Sequence, residues 1–294
     1  VKQGFVDLHI HSDRSSDGDF SPAELARMAA EAGLAAIAIA DHDTVAAYPA
    51  AFEDGRREGV EVLSNMEVTT MFGGREFHVQ LVFLEWDNPR VARIVDRVAE
   101  TRWREAQERV AHLQTLGINL SWEEVKKASR DAVPLGVTIA RILLDKQESR
   151  RDLALRKYYD EAGGPLPPSF FYKDFFMEGA PAFVPKRHIG LVEILEEAPQ
   201  VGAAAVLSHP GAYFQNTTHA DLVRLKDCGL VGLEVFTSYH DGEQTEHYAE
   251  EARKLDLVPT AGSDFHGRVK PHVAFGSVRD GGYEMVEALR DRRP

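Results

Sequence analysis

The sequence predicts an α/β fold whose parallel sheet is closed or nearly closed into a (β/α) barrel. Three observations lead there. Short apolar strand-like runs alternate with helical runs, the rhythm of βα units. His, Asp and Glu stand where most of these strands finish, and barrel enzymes place their chemistry at the C-terminal mouth of the strands. No G-x-G-x-x-G follows the first strand and no G-x-x-x-x-G-K-[ST] occurs, so an open nucleotide-binding sheet fits less well.

The first strand spans 5–11 and contains His9-Ile10-His11-Ser12. Side chains two apart on a strand share a face, so both imidazoles point the same way. A lone buried histidine reads as a satisfied core residue, but two together call for a metal ion to use their nitrogens. Ser21-Pro22-Ala23-Glu24 reads as a capping box with Pro at the first helical position. Leu25, Met28, Ala29 and Ala32 carry that helix to Gly33. A strand over 35–40 ends in Asp41-His42-Asp43-Thr44. A helix over 46–58 leads to strand-like 60–63 and to Asn65-Met66-Glu67-Val68-Thr69. Phe72-Gly73-Gly74-Arg75 reads as a hairpin turn into 76–82, which carries His78.

After Trp86 the rhythm changes. Val91, Ile94, Val95, Val98, Val110 and Leu113 mark one long amphipathic helix up to Gly117. Ser121-Trp122-Glu123-Glu124 starts another, and 137–146 a third. Gly163-Gly164-Pro165-Leu166-Pro167-Pro168 is irregular and is followed by Phe170, Phe171, Tyr172, Phe175 and Phe176. Residues 88–187 therefore read as a mainly helical insertion covering the site, with 1–87 and 188–294 forming the barrel. The βα rhythm resumes with 203–207, ending in Ser208-His209-Pro210, then 231–236, then 258–266, which contains Ser263-Asp264-Phe265-His266.

Bulk properties narrow the function. With 44% hydrophobic and 28% charged residues, a real core is expected. The balance of 34 basic against 47 acidic residues, net −13, disfavours a surface devoted to nucleic-acid backbone. Cys228 is the one cysteine, so no disulfide framework exists and a reducing, cytoplasmic setting is expected. It sits at a helix end and reads as packing. No apolar run approaches a membrane span, and no membrane partner is expected.

Nine strand-end residues stand out: His9, His11, Asp17, His42, Glu67, His78, His209, Asp264 and His266. Six imidazoles and three carboxylates exceed the needs of one ion and suit two or three, with a carboxylate bridging. At this point the chain resembles the PHP (polymerase and histidinol phosphatase) family of amidohydrolase-like barrels. The motifs that carry the resemblance are His9-Ile10-His11-Ser12, Asp41-His42-Asp43-Thr44, Glu67, His78, Ser208-His209-Pro210 and Ser263-Asp264-Phe265-His266. The resemblance implies a distorted (β/α)7 barrel. It implies a first ion on His9, His11, Glu67 and Asp264, a second on Glu67, His78 and His209, and a third on Asp17, His42 and His266, the ions being Mn, Fe or Zn. Some members carry His where Asp17 stands.

Such ions suit hydrolysis of phosphate esters. The expected reaction is in-line attack on phosphorus by hydroxide bridging the ions, with Glu67 and His209 as ligands essential to it and Asp41 as a proton donor. His188 and His240 are other proton-donor candidates, and the commoner role for carboxylates such as Asp41 and Asp43 is to orient a ligand histidine through its second nitrogen. Arg102, Arg141 and Lys186 are the candidate cations for substrate phosphate. The aromatics of 170–176 offer stacking for a base, with lid or core packing as the simpler role. The motifs are most similar to stand-alone phosphoesterases acting on small phosphates. Bisphosphate phosphatases of the family usually have an Arg-Thr-His motif where this chain reads Gly136-Val137-Thr138-Ile139-Ala140-Arg141, and can have Arg after His-Pro-Gly, where Ala212 stands. The leading expectation is a phosphomonoesterase or cyclic phosphodiesterase of a small nucleotide or sugar phosphate. The alternatives are an exonuclease-like phosphodiesterase and a non-catalytic metal-binding module.

Overall fold

A computed structural model describes residues 3–129 and 132–293. It is an α/β fold with two sheets. The first has strands β1 (Phe5–Ile10), β2 (Leu34–Ile39) and β3 (Glu61–Ser64), all parallel. They are linked by helices α1 (Pro22–Glu31) and α2 (Ala50–Glu58). Ser21 and Glu24 form the capping box at the start of α1. The second sheet contains β4 (Glu67–Phe72), β5 (Arg75–Val82), β6 (Ile189–Gly190), β7 (Ala204–Leu207), β8 (Gly232–Thr237) and β9 (Val258–Gly262), in the order β6-β4-β5-β7-β8-β9.

This second sheet is mixed. β5 is antiparallel to both β4 and β7. The cause is the two-residue Gly73-Gly74 turn, where φ is 56° and 79°, the conformation that tight hairpins require and glycine supplies. The sheets meet at both margins of the first. His11 N–H donates to Phe265 O (3.0 Å) and Asp264 N–H to His9 O (2.8 Å), which sets β1 beside the end of β9. On the other side Phe83 N–H donates to Ser64 O (2.7 Å), and Asp43 N–H to Glu67 O (2.9 Å).

Between β5 and β6 lie α3 (Pro89–Thr115), α4 (Trp122–Ala128), α5 (Gly136–Asp145) and α6 (Pro168–Phe176). The first half of α3 buries Val91, Ile94 and Val98 against the second sheet. Its second half, with Ala106, Val110 and Leu113, belongs to a separate core with Ile139, Leu143, Tyr158, Phe171 and Phe176. The aromatics of α6 are thus mostly spent on packing: Phe171 and Phe175 stack at 4.2 Å, and Phe170 is left half exposed. The remaining helices are α7 (Leu191–Glu197), α8 (His219–Asp227), α9 (Gly242–Lys254) and α10 (Glu284–Arg292). No helix among the described residues is long and apolar enough to cross a membrane.

Candidate metal centre

Strand ends deliver the site. β1 carries His9, with His11 just past its end, β4 begins at Glu67, and β5 carries His78. Asp17, His42, His209, Asp264 and His266 stand on the loops after β1, β2, β7 and β9. Asp43, His209 and Asp264 hold left-handed backbone, with φ of 57°, 25° and 55°. Such residues cost energy and persist where their surroundings over-determine them. Gly262 is dictated by close approach: a Cβ there would lie 2.3 Å from both Glu234 Oε1 and His9 Cβ.

Glu67 is the hub of the cluster and is fully buried. Its Oε2 lies 3.2 Å from His9 Nε2, 3.4 Å from His11 Nε2 and 3.2 Å from His42 Nδ1. Its Oε1 lies 3.3 Å from His78 Nδ1 and 3.2 Å from His209 Nε2. Asp264 Oδ1 lies 3.3 Å from His9 Nε2 and 3.1 Å from His11 Nε2. Asp17 Oδ2 lies 3.1 Å from His266 Nε2 and 3.6 Å from His42 Nε2. All nine residues singled out in the sequence therefore converge. Three ligand groupings emerge: His9, His11, Glu67 and Asp264; His42, Glu67 and His78; and His11, Asp17, His42 and His266. The first coincides with the set the resemblance implies. In the second His42 joins, and His209 reaches it through Glu67 Oε1; in the third His11 joins.

The donor set fits divalent ions. Glu67 Oε2, Asp264 Oδ1, His42 Nδ1 and His78 Nδ1 are buried without hydrogen-bond partners, an expensive state for polar atoms unless something takes their lone pairs. Nitrogen and oxygen ligands about 2.1 Å from a common ion lie about 3.0–3.4 Å from one another. The spacings of 3.1–3.4 Å among His9, His11, Glu67 and Asp264 have that size.

Burial opposes charge on His11, but the neighbouring Asp264 and Glu67 carboxylates override it and raise the group to about 9. Burial is likewise overridden at His78 by Glu67 and Glu76, again to about 9. Glu67 resists the upward push of burial because His9, His42 and His78 hold it well below the usual carboxylate range. Burial dominates at His42 and His266, which are pushed down.

Further carboxylates orient these ligands. Asp41 accepts from Ser12 N–H and O–H, both at 2.6 Å. Asp7 accepts from Ser263 N–H (2.8 Å) and O–H (2.7 Å). Each pins the residue beside a ligand, His11 or Asp264. Both oxygens of Asp41 are engaged, so its place is that of an anchor rather than a free proton donor. Glu234 accepts from His9 Nδ1–H (3.0 Å) and from the His209 backbone N–H (2.7 Å). That bond holds the proton of Nδ1 and turns His9 Nε2 toward the cluster, the nitrogen an ion would use. Sequence reasoning missed Asp7 and Glu234. The available signal was an acid inside an apolar strand, Phe5-Val6-Asp7-Leu8 and Leu233-Glu234-Val235-Phe236, since acids are almost never fully buried without a purpose.

The other candidates are tied up in specific ways. His240 accepts from Gly211 N–H and donates to Val235 O, so both nitrogens are used in structure. His188 is buried between Glu76 and Glu105, at 3.4 and 3.3 Å. Lys186 pairs with Glu76 at 2.7 Å and keeps one-fifth of its side chain exposed. Arg141 reaches Ser16 O (2.6 Å) and Asp19 (3.3 Å), bracing the loop that bears Asp17. Arg102 donates to Asp43 Oδ2 (3.0 Å) and to the Thr69 hydroxyl, and is buried. Arg102→Ala is thus expected to destabilise the chain by about 3–5 kcal/mol in urea unfolding, because it strands a buried carboxylate. A loss under about 1 kcal/mol, the worth of an exposed pair, would show that Arg102 is free to serve substrate alone.

Comparison with known proteins places this centre in context. A family model described as PHP domain matches residues 7–151. A phosphoribosyl 1,2-cyclic phosphate 1,2-diphosphodiesterase from Eggerthella lenta is 31% identical over 92% of this chain and 97% of its own. A 5'-3' exoribonuclease from Haemophilus influenzae is 26% identical over 88% and 89%. A 3',5'-nucleoside bisphosphate phosphatase from Chromobacterium violaceum is 25% identical over 89% and 87%. A solved structure from Bifidobacterium adolescentis, described as a metal-dependent phosphoesterase, superposes with a TM-score of 0.85 at 24% identity, covering 98% of this chain and 96% of that one. At that identity it speaks for the fold.

Proposed function

The chain belongs to the PHP domain family and is a phosphoric ester hydrolase; from that premise we propose that it works with two or three divalent ions, Mn, Fe or Zn, on a small phosphorylated metabolite. The substrate is a nucleotide or sugar phosphate, cleaved as a monoester, a cyclic diester or both. The observation that carries this reading is the buried ring of ligand atoms around Glu67, whose spacing matches an ion's coordination shell. We assign His9, His11, Glu67 and Asp264 to one ion, Glu67, His78 and His209 to a second with His42 at its edge, and Asp17, His42 and His266 to a third.

Bound there, divalent ions acidify water and neutralise charge on phosphoryl oxygens. The chain's own residues do the rest. Glu234 keeps His9 in the tautomer that presents Nε2, and Asp41 and Asp7 hold the loops that carry the ligands. Supporting a barrel, the first sheet is hydrogen-bonded to the second along both margins; we take the two as arcs of one distorted (β/α)7 barrel, formed by 1–87 and 188–294. The helices of 88–187 form the cover. Elemental analysis of protein purified without chelator should find well over one ion per chain. Less than half an ion after reconstitution would remove the basis of this reading.

A small substrate is favoured over a polymer. The net charge is −13, and a cavity of about 220 Å³ beside His42, walled by Arg14, Ser16, Trp103 and Leu135, has room for a sugar or one base. The exoribonuclease relative makes the polymer the competing substrate. Kinetics separate them: kcat/KM for some mononucleotide or sugar phosphate should exceed that for a long single-stranded oligonucleotide. The reverse order, with the steep salt dependence of polyanion binding, would overturn the small-substrate reading.

A further inference from the structure

We propose that Lys270 is a catalytic residue of this site, its ammonium contacting a non-bridging oxygen of the reacting phosphoryl group. The inference rests on the phosphoesterase reading above and names a residue that the sequence motifs do not reach. Lys270 follows the single helical turn Gly267–Val269, just beyond His266.

Three other cations near the centre are each neutralised by an acid of their own. Arg102 has Asp43, Lys186 has Glu76 and Arg141 has Asp19. None of those acids belongs to the ligand set, so each of these cations keeps its partner whether or not an ion is bound. Lys270 differs. Its paired carboxylate among the described residues is Asp264, through Oδ2, and Asp264 turns its other oxygen, Oδ1, to His9 and His11. A divalent ion held there would draw on the charge of the same carboxylate. With an ion there, the charge of Lys270 would be less fully answered by protein than that of Arg102, Lys186 or Arg141.

Its placement suits an anionic ligand. One-fifth of the Lys270 side chain is exposed, so the ammonium is neither sealed in nor adrift on the surface. Its Nζ sits 4.9 Å from the centre of the Tyr239 ring, and that ring lies 4.7 Å from the ring of His209. The Tyr239 ring thus touches both the Lys270 ammonium and the ring of His209. The ammonium therefore sits one carboxylate away from the ligand nitrogens. Lysine serves a phosphoryl group well as a compact point charge, and charge placed where negative charge builds up is a main source of rate.

The test compares wild type with Lys270→Met and Lys270→Arg as metal-loaded proteins. Titration calorimetry with inorganic phosphate is the probe, beside metal content, thermal melting and turnover of a phosphate ester. Loss of one charge-assisted hydrogen bond should weaken phosphate binding by about 10- to 100-fold in Lys270→Met, and lower kcat/KM at least as much. Metal content should stay at the wild-type level, and Lys270→Arg should recover part of the phosphate affinity. Two results overturn the inference. Unchanged phosphate affinity in Lys270→Met would show no contact, and metal loss in proportion to activity would make Lys270 a positioning residue for Asp264. Should Lys270→Met fail to fold, phosphate affinity of Lys270→Arg equal to or tighter than wild type, with lower turnover, still supports the contact, and a loss of metal from that variant still refutes it. Absence of phosphate binding and turnover in the wild type would instead refute the phosphoesterase reading itself.

Discussion

Glu67→Gln is expected to lower kcat/KM for a phosphate ester by at least about 10³-fold, the equivalent of about 4 kcal/mol, in a chain that still folds. Glu67 approaches five imidazoles with its two oxygens, so it is the one carboxylate shared by the first two ligand groupings. The amide keeps the shape but gives up the charge and one acceptor. It also puts N–H donors where the neighbouring nitrogens must offer lone pairs. His209→Ala should show a similar loss, because its Nε2 faces Glu67 Oε1 and its backbone N–H is independently held by Glu234, so the loop keeps its anchor without the ring. Turnover at saturating metal, with near-UV circular dichroism as the folding control, decides the matter. Near-wild-type turnover in either variant would break the assignment of Glu67 as the bridge.

The site's members were readable in the sequence because each obeys a local rule. His9 and His11 share a face by strand periodicity, and His42, His209, Asp264 and His266 follow closely on apolar strand-like runs. The Ser21 and Ser121 capping boxes and the Gly73-Gly74 turn were readable for the same reason: their chemistry is local. What was not readable depends on distant partners. Glu234 matters because β8 sets it beside His9, 225 residues away in sequence. Arg102 looks like any helical arginine until α3 folds over Asp43 and Thr69. The reversal of β5 was half visible: the turn was marked, but the expectation of a parallel sheet overrode what a two-residue hairpin demands. The long helix also divides its loyalties, with Val91 and Val98 on the sheet and Val110 on the helical core, and one amphipathic stripe cannot tell two partners apart.

Stripping the ions is expected to lower the melting temperature by on the order of 15 °C or more at pH 8. Each ion present at 1,000 times its dissociation constant stabilises the folded state by about 4 kcal/mol, and a chain of this size melts about 2–4 °C lower per kcal/mol lost. The gap should widen as pH rises, and its sign follows from the ligands. In the stripped protein His11 and His78 are raised from 6.5 to about 9 by their carboxylate neighbours against the pull of burial. A base raised on folding contributes stability that is fully present below its ordinary value and lost as pH climbs through the raised one. Asp7 and Asp41, lifted by burial from 3.8 to about 6, push the same way at lower pH. Stripped protein therefore loses stability between about pH 6.5 and pH 9. Loaded protein has already exchanged those protons for metal, and metal competes better as protons grow scarce. Differential scanning calorimetry of loaded and chelated protein from pH 6.5 to 9 tests this directly. A gap that stays constant or narrows would mean that the histidines keep their protons in the loaded state and are not ligands; no gap at any pH would mean that the buried ring around Glu67 is self-sufficient and binds nothing.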